Sequence, residues 1–494
     1  MTDTERRSKK MGKYDLAYAL IIGTGKSGIA AGGLIIEKGY AVTLYDDNTE
    51  LDRDECAKKV LAKAEEIRSA ENSMPAGTDD KEPALQRPIG EKSCRVLTGI
   101  DALEKELSED CHYSVCVLSP GVPTDGAVAE MVRNAGVPVI GEIELAFLFE
   151  KGKVLAITGT NGKTTTTTLL GEIMQRHQDD VLVVGNIGTP YTEEVVKSRE
   201  TSVTVAEISS FQLETTDTFH PIVSAILNLT PDHLNRHHTM ENYVRAKQDI
   251  TKAQTKDNTC VLNAEDPYTD SFLELCPASV VLFSSGKEIA DGFWEKDGDI
   301  YRMRQGQKEL LIRMKETHLL GKHNAENIMA AIAMADAAGV PMETILAAVK
   351  DFHAVEHRIE YVRETEGVQY FNDSKGTNPD AAIKAITAME RPTWLIGGGY
   401  DKDSTYDEWI ESFGGKVRGL VLLGQTAEKI AECAKKHGFT DLYMVDSLED
   451  AVALCHEKAS EGEAVLLSPA CASWGMFKNF EERGRIFKEL VNKL

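Results

Sequence analysis

The nine cysteines contain no C-x-x-C pair and are scattered along the 494 residues. Neither a zinc ribbon nor a disulfide framework is suggested, and buried thiols in a reducing compartment are expected. Long apolar runs are also missing. The stretch that follows the charged residues 2–13 breaks at Gly23, which reads as a first strand and not as a signal peptide. No run approaches the roughly 20 residues of a membrane helix. Basic residues are outnumbered, 55 Lys and Arg against 79 Asp and Glu, for a net charge of −24. Such a surface repels nucleic-acid phosphates at long range. These absences point to a cytoplasmic protein, expected to be monomeric, with neither nucleic acid nor a membrane as partner. An anionic substrate would be held by a few local cations and helix ends.

What is present begins with Gly159-Thr160-Asn161-Gly162-Lys163-Thr164. The apolar run Val154 to Thr158 before it reads as a buried parallel strand, and Leu169, Leu170 and Ile173 after it as a helix. A glycine-rich turn between strand and helix points several N–H groups at one spot, where the helix N-terminus adds partial positive charge. Lys163 would reach the β- and γ-phosphates of a nucleotide, and the Thr164 hydroxyl would sit on Mg²⁺. Ile157 stands where the longer form of this loop has its first glycine, so the pattern is a shortened variant.

A chain of this length predicts two to four domains. The spacing of strand, turn and helix signals predicts three α/β domains in a row: a Rossmann-like unit over 1–141, a P-loop-type ATPase unit over 142–354, and a second Rossmann-like unit over 355–494. In the first, residues 18–22 lead into Gly23-x-Gly25-x-x-Gly28, and a second strand ends on Asp46. That is the layout of a dinucleotide site with an acid for a ribose hydroxyl. Residues 69–93, rich in Pro, Gly and charge, read as a solvated excursion within this unit. In the second, strands near 181–184, 203–208 and 222–228 end on Asn186, Glu207 and Asn228, the last leading to His233. Ligands gather beyond the carboxyl ends of such strands. Glu207 reads either as a magnesium ligand or as an exposed strand-end acid, and His233 as a ligand or a structural histidine. By itself Lys247 reads as a solvated helix lysine, and Asn324 and Asn327 as helix caps. In the third unit Lys375, Thr377, Lys402 and Ser473 all fall on loops after strands.

Several longer strings match one family. They are Gly159-Thr-Asn-Gly-Lys-Thr-Thr165, Glu207-Ile-Ser-Ser-Phe-Gln-Leu-Glu214, Asn228-Leu-Thr-Pro-Asp-His233, Gly321-Lys-His-Asn-Ala325, His357-Arg358, Asn372-Asp-Ser-Lys-Gly-Thr-Asn378 and Leu467-Ser-Pro-Ala-Cys-Ala-Ser473. Over nearly its whole length the chain resembles the Mur ligases, in their D-glutamate-adding branch. The resemblance implies ATP-dependent amide synthesis through an acyl phosphate, with UDP-MurNAc-L-Ala, D-glutamate and ATP as substrates. It implies two Mg²⁺ sites held by Thr164, Glu207, His233 and a carbamate formed from CO₂ on Lys247. Lys163 resembles the lysine on the β,γ-phosphates, within an ATP loop of Gly159, Thr160, Asn161, Gly162, Thr164 and Thr165. Asn324, Arg358, Asp373 and Lys375 resemble the remaining nucleotide contacts. Thr377, Lys402, Ser473 and the backbone at Phe480 resemble the D-glutamate pocket. Gly23, Gly25, Ser27, Gly28, Asp46 and Asn186 resemble the UDP-sugar contacts, so the first glycine loop would cradle a uridine diphosphate and not NAD. Trp474 stands where the family has a smaller apolar residue. The alternatives are another amino-acid ligase of the Mur or folylpolyglutamate type, an NAD-dependent dehydrogenase, and a nucleotide-binding regulator without catalysis. Closure of the third unit on the second is expected about a hinge near Ala354 to Glu356.

Overall fold

Three sheets organise the chain in the computed structural model, which describes residues 13–73, 93–109, 111–186, 189–353, 355–401 and 404–494. Lys402, Ala354 and most of the expected 69–93 excursion lie outside the described residues. The first sheet is wholly parallel, with strands in the order Cys94–Thr98, Ala41–Asp46, Tyr18–Ile22, Val115–Leu118, Val139–Gly141. Its order reverses beside Tyr18–Ile22, so the glycine loop and the turn at Ser119 face each other there. Gly28 has to be glycine, since a Cβ on it would come within 1.9 Å of the Gly23 carbonyl oxygen.

The central sheet has nine strands, with Lys153–Thr158 third from one edge between Val223–Ile226 and Val203–Glu207. It is extended by an antiparallel meander, Gly292–Lys296, Asp299–Arg304 and Gln307–Arg313. The helix Lys163–His177 follows Lys153–Thr158 although five of its first six residues are threonines, whose branched side chains favour strands. Burial holds it: Leu169, Leu170 and Ile173 are fully enclosed. Each contributes about 1.5–3 kcal/mol of transfer free energy, enough to outweigh weak local propensity.

In the third sheet the edge hairpin Glu360–Thr365 and Val368–Asn372 is followed by Ala464–Leu467, Thr393–Gly397, Val417–Leu422 and Leu442–Met444. The loops after Asn372, Leu467 and Gly397 therefore leave one edge side by side. Two apolar clusters cover the two faces of this sheet. A different arrangement joins the first two sheets, because one cluster runs from Ile21 and Val117 through Ile143 and Phe147 to Val154 and Ile226. Among the described residues no helix is long and apolar enough to cross a membrane.

Candidate functional site

The loop between Thr158 and Lys163 is shaped by two glycines. Gly162 has φ +86°, and a Cβ there would lie 2.2 Å from Asn327 Oδ1; Gly159 has φ +145° against Leu227. Lys163 folds back over the loop and donates to the carbonyls of Gly159 (2.9 Å) and Thr160 (2.8 Å). The loop is held open by Asn228, whose Oδ1 accepts from the Asn161 N–H and whose Nδ2 donates to the Asn161 carbonyl. Thr160 Oγ1 lies 2.9 Å from the Tyr243 hydroxyl.

Residues from the third sheet reach this loop. Arg358 Nη2 donates to Thr164 Oγ1 at 3.2 Å, Lys375 Nζ lies 3.4 Å from the same oxygen, and Asn161 Nδ2 donates to Asp380 Oδ2 at 2.5 Å. Between the two sheets lies a cleft of about 260 Å³ lined by Asn161, Thr165, Asn324, Arg358, Asp373 and Lys375 among others. Sequence reasoning singled out all six. It missed His323, Glu326, Asp380 and Lys384, which lie in or beside the same cleft. Two of them carried a sequence signal: His323 lies within the Gly321–Ala325 string, and Asp380 is an acid in the first turn of the helix Pro379–Ala388.

Burial dominates the electrostatics. It pushes Lys163 and Arg358 below their ordinary values, and Lys375, with Arg358 next to it, down to about 8. Lys247 is only 2% exposed, and burial together with neighbouring Lys163 drives its ammonium well below the usual range. Its Nζ donates to the Gly159 carbonyl at 2.8 Å. The solvated-lysine reading is thus corrected: the helix Met240–Gln248 buries Tyr243, Val244, Ala246 and Lys247 along one face, with the lysine one turn after Tyr243. Burial likewise raises Asp373 to about 7, although Ser468 Oγ donates to it at 2.7 Å. Cations pressed together without enough anions are the mark of a site waiting for one.

Glu207 is 1% exposed, so the strand-end reading of an exposed acid is also corrected. Its Oε1 accepts from Asn186 Nδ2 at 3.0 Å, whereas Oε2 is enclosed with no partner among the described residues. A buried carboxylate oxygen left in that state is costly unless a cation meets it. His233 has φ +53° at the start of the short helix Leu234–His237, with its ring half exposed 4.8 Å from Phe211. Asn324 is not a cap. Gly321 precedes the helix Lys322–Ala337, and Asn324 lies inside its first turn, buried, donating to the Leu320 carbonyl at 2.8 Å. Asn327 is buried beside it and donates to Asn324 Oδ1 at 3.1 Å.

Around the third sheet, Ser473 lines a small cavity with Gly398, Gly399, Met476, Phe477 and Arg483. The backbone carbonyl of Phe480 accepts from Ser374 Oγ at 2.8 Å, and Thr377 lies half buried in the loop that carries Lys375. Arg483, absent from the sequence reading, is 2% exposed and donates to Ser374 and to the Cys471 carbonyl. Trp474 is exposed, 5.5 Å from the Tyr400 ring. In the first sheet Asp46 accepts from Thr24 Oγ1 at 2.5 Å and from the backbone of Thr24 and Asn48. Those bonds outweigh partial burial and hold its carboxyl below the usual range. Gly23, Gly25 and Ser27 lie at least partly open beside it, with Gly28 enclosed. Asn186 is brought to Glu207, at the central sheet's edge.

Comparison with known proteins gives a consistent picture. Residues 157–335 match the family model of the Mur ligase middle domain, and residues 357–471 that of the Mur ligase glutamate ligase domain. The UDP-N-acetylmuramoylalanine--D-glutamate ligase of Lachnoclostridium phytofermentans is 52% identical over 96% of this chain and 98% of its own. That of Lachnospira eligens is 51% identical over 96% and 98%. Among solved structures, the UDP-N-acetylmuramate-alanine ligase of Thermotoga maritima superposes with a TM-score of 0.56 at 17% identity, covering 96% of this chain and 99% of its own. MurF from Acinetobacter baumannii gives 0.54 at 17%, covering 76% and 90%.

Proposed function

The chain belongs to the Mur ligase family, and on that premise we propose that it joins D-glutamate to UDP-N-acetylmuramoyl-L-alanine with ATP, giving ADP and phosphate, in peptidoglycan precursor synthesis. The observation that carries the reading is the meeting of Arg358, Lys375 and the Lys163 loop around Thr164, in a chain half identical to D-glutamate ligases. A dehydrogenase would leave that cluster of cations without a role.

In the first half-reaction an oxygen of the L-alanyl carboxylate attacks the γ-phosphorus while the bond to ADP breaks. The two anions repel each other, and Lys163, Arg358 and Lys375 lower that repulsion where water is excluded. Phosphate binding stabilises the charged form of Lys375. In the second half-reaction the amine of D-glutamate attacks the acyl-phosphate carbonyl carbon, the C–O bond to phosphate breaks, and the nitrogen loses a proton. The amine has to be held in line and unprotonated. Thr377, Ser473, the Phe480 backbone and Lys402 would hold the two carboxylates of D-glutamate. Gly23, Gly25, Ser27, Gly28, Asp46 and Asn186 would hold the UDP-sugar, and Asn324 and Asp373 the nucleoside of ATP.

Thr164, Glu207, His233 and Lys247 are the residues that would hold magnesium, and the partnerless Glu207 Oε2 fits a cation. Bound there, magnesium would supply positive charge against the anions brought together in the first half-reaction. Lys247 fits a carbamate because its buried amine favours the uncharged form that takes up CO₂, and the product is an anion beside Lys163. The test is phosphate release with UDP-MurNAc-L-Ala, ATP and a panel of amino acids, the product identified by mass. Turnover confined to D-glutamate supports the proposal; equal turnover with L-glutamate, or none, defeats it.

A further inference from the structure

Away from this cleft, two short helices of the third unit face each other with complementary pairs of side chains. Asp407 and Glu411 sit one turn apart on the helix Asp407–Glu411. Cys433 and His437 sit one turn apart on the helix Ala427–Lys436 and its C-cap. Residues at i and i+4 share a helix face, so each helix presents two donors to the other. The Asp407 carboxylate, the Cys433 thiol and the His437 ring offer one ligand atom each, all within 4.8 Å of one another. We propose that Asp407, Cys433 and His437 form a binding site for a single thiophilic divalent cation of the Zn²⁺ class.

The arrangement is specific beyond proximity. His437 Nε2 lies 3.0 Å from Asp407 Oδ1, while its Nδ1 lies 3.5 Å from Glu411 Oε1. Glu411 thus lies on the Nδ1 side of the ring, where an outer carboxylate partners a metal-bound histidine, and Nε2 faces Asp407. A sulfur, a nitrogen and an oxygen leave one tetrahedral position open and suit zinc better than magnesium or calcium. Phe413 and Phe439 pack edge to face at 5.2 Å beside the cluster, Trp409 is fully buried beneath it, and the His437 N–H closes the helix end onto Cys433 and Ala434. The site is also joined to the Ser473 region, since the Tyr406 hydroxyl, one residue before Asp407, lies 3.2 Å from Cys471 Sγ. On ligation the Cys433 thiol loses its proton to bulk water and the sulfur–metal bond forms. No cysteine spacing betrays this site, because its donors come in a D-x-x-x-E and a C-x-x-x-H pair about two dozen residues apart.

Full-length protein, kept in excess Mg²⁺ to fill hard oxygen sites, is titrated with Co²⁺ and then with Zn²⁺. The expected result is one equivalent of Co²⁺ showing thiolate-to-cobalt charge transfer in the near ultraviolet, displaced by Zn²⁺. Cys433→Ser abolishes the band, and His437→Ala weakens Co²⁺ binding about tenfold or more. Circular dichroism confirms that both variants stay folded. The proposal is overturned if the parent protein shows no such band, if the band survives Cys433→Ser, or if His437→Ala binds Co²⁺ as tightly as the parent. In the last case the histidine is only an ion-pair partner of Asp407.

Discussion

Replacing Arg358 by methionine separates what this residue does for ATP from what it costs the fold. Its guanidinium is pushed below its ordinary value by burial, and its Nε is enclosed without an acceptor. Among the described residues no carboxylate comes within ion-pair distance of it, and its Nη2 donates to Thr164 Oγ1 at 3.2 Å. Replacing a desolvated charge that has no ion-pair partner by an apolar side chain of similar length relieves its desolvation cost. Loss of a preorganised donor to a transferring phosphoryl group costs about 2.7–4 kcal/mol of transition-state stabilisation, or roughly 10²–10³-fold in kcat. Arg358→Met is therefore expected to melt no earlier than the parent in the absence of ATP, and to lose roughly 10²–10³-fold in kcat/KM for ATP. Stability is read by differential scanning calorimetry, and activity by coupled ADP release under saturating magnesium. A variant that keeps kcat/KM for ATP near the parental value, or that melts several degrees lower without ligand, refutes the reasoning.

Other expectations follow from the same geometry. Lys247→Ala should lose most activity and regain part of it with added formate or acetate; a fully active variant would show that no carbamate is needed. Lys375, held near 8, loses its charge as the pH rises through that value, so KM for ATP should climb above about pH 8. In the free protein a depressed ammonium works the other way. Stability contributed through Lys375 should fall as the pH drops from the ordinary lysine range to about 8 and then level off, and a flat pH–melting profile over that window counts against the burial argument. Asp380→Ala removes the contact from Asn161 across the cleft. It should shift the free protein toward a more open form by about 1 kcal/mol, seen as a larger radius of gyration in small-angle scattering and an unchanged radius once ATP and UDP-MurNAc-L-Ala are bound.

Much of this site was legible in the chain because its parts sit on strand ends, where period and punctuation are strongest. The Lys163 loop and Glu207 follow apolar runs whose boundaries the structure matches to within a residue or two, and the three loops of the third sheet do follow strands. What escaped notice depends on packing between elements. Lys247 and Arg483 look solvated in isolation, yet each is enclosed by neighbours distant in sequence. Asp380 and Lys384 join the cleft only because the third sheet docks on the second. The meander 292–313 carries alternating charge and little apolar signal; its inner aromatics, Trp294 and Tyr301, are stacked and overlaid by Lys308 at 4.2 and 4.1 Å.

The helix Glu142–Phe149 carries carboxylates at Glu142 and Glu144, with Glu150 just beyond, all buried. Glu142 accepts from Thr192, Glu144 from the backbone of Asp217, Thr218 and Phe219, and Glu150 from Tyr191 and Thr204. Cutting the chain just ahead of this helix would strip the first sheet of its partner and bare the apolar surface that both share. A fragment made from the amino-terminal part alone should accordingly precipitate, whereas one beginning near Val355, with its apolar clusters built almost wholly from its own residues, should be portable. Swapping parts between relatives would succeed at the later junction and fail at the earlier one.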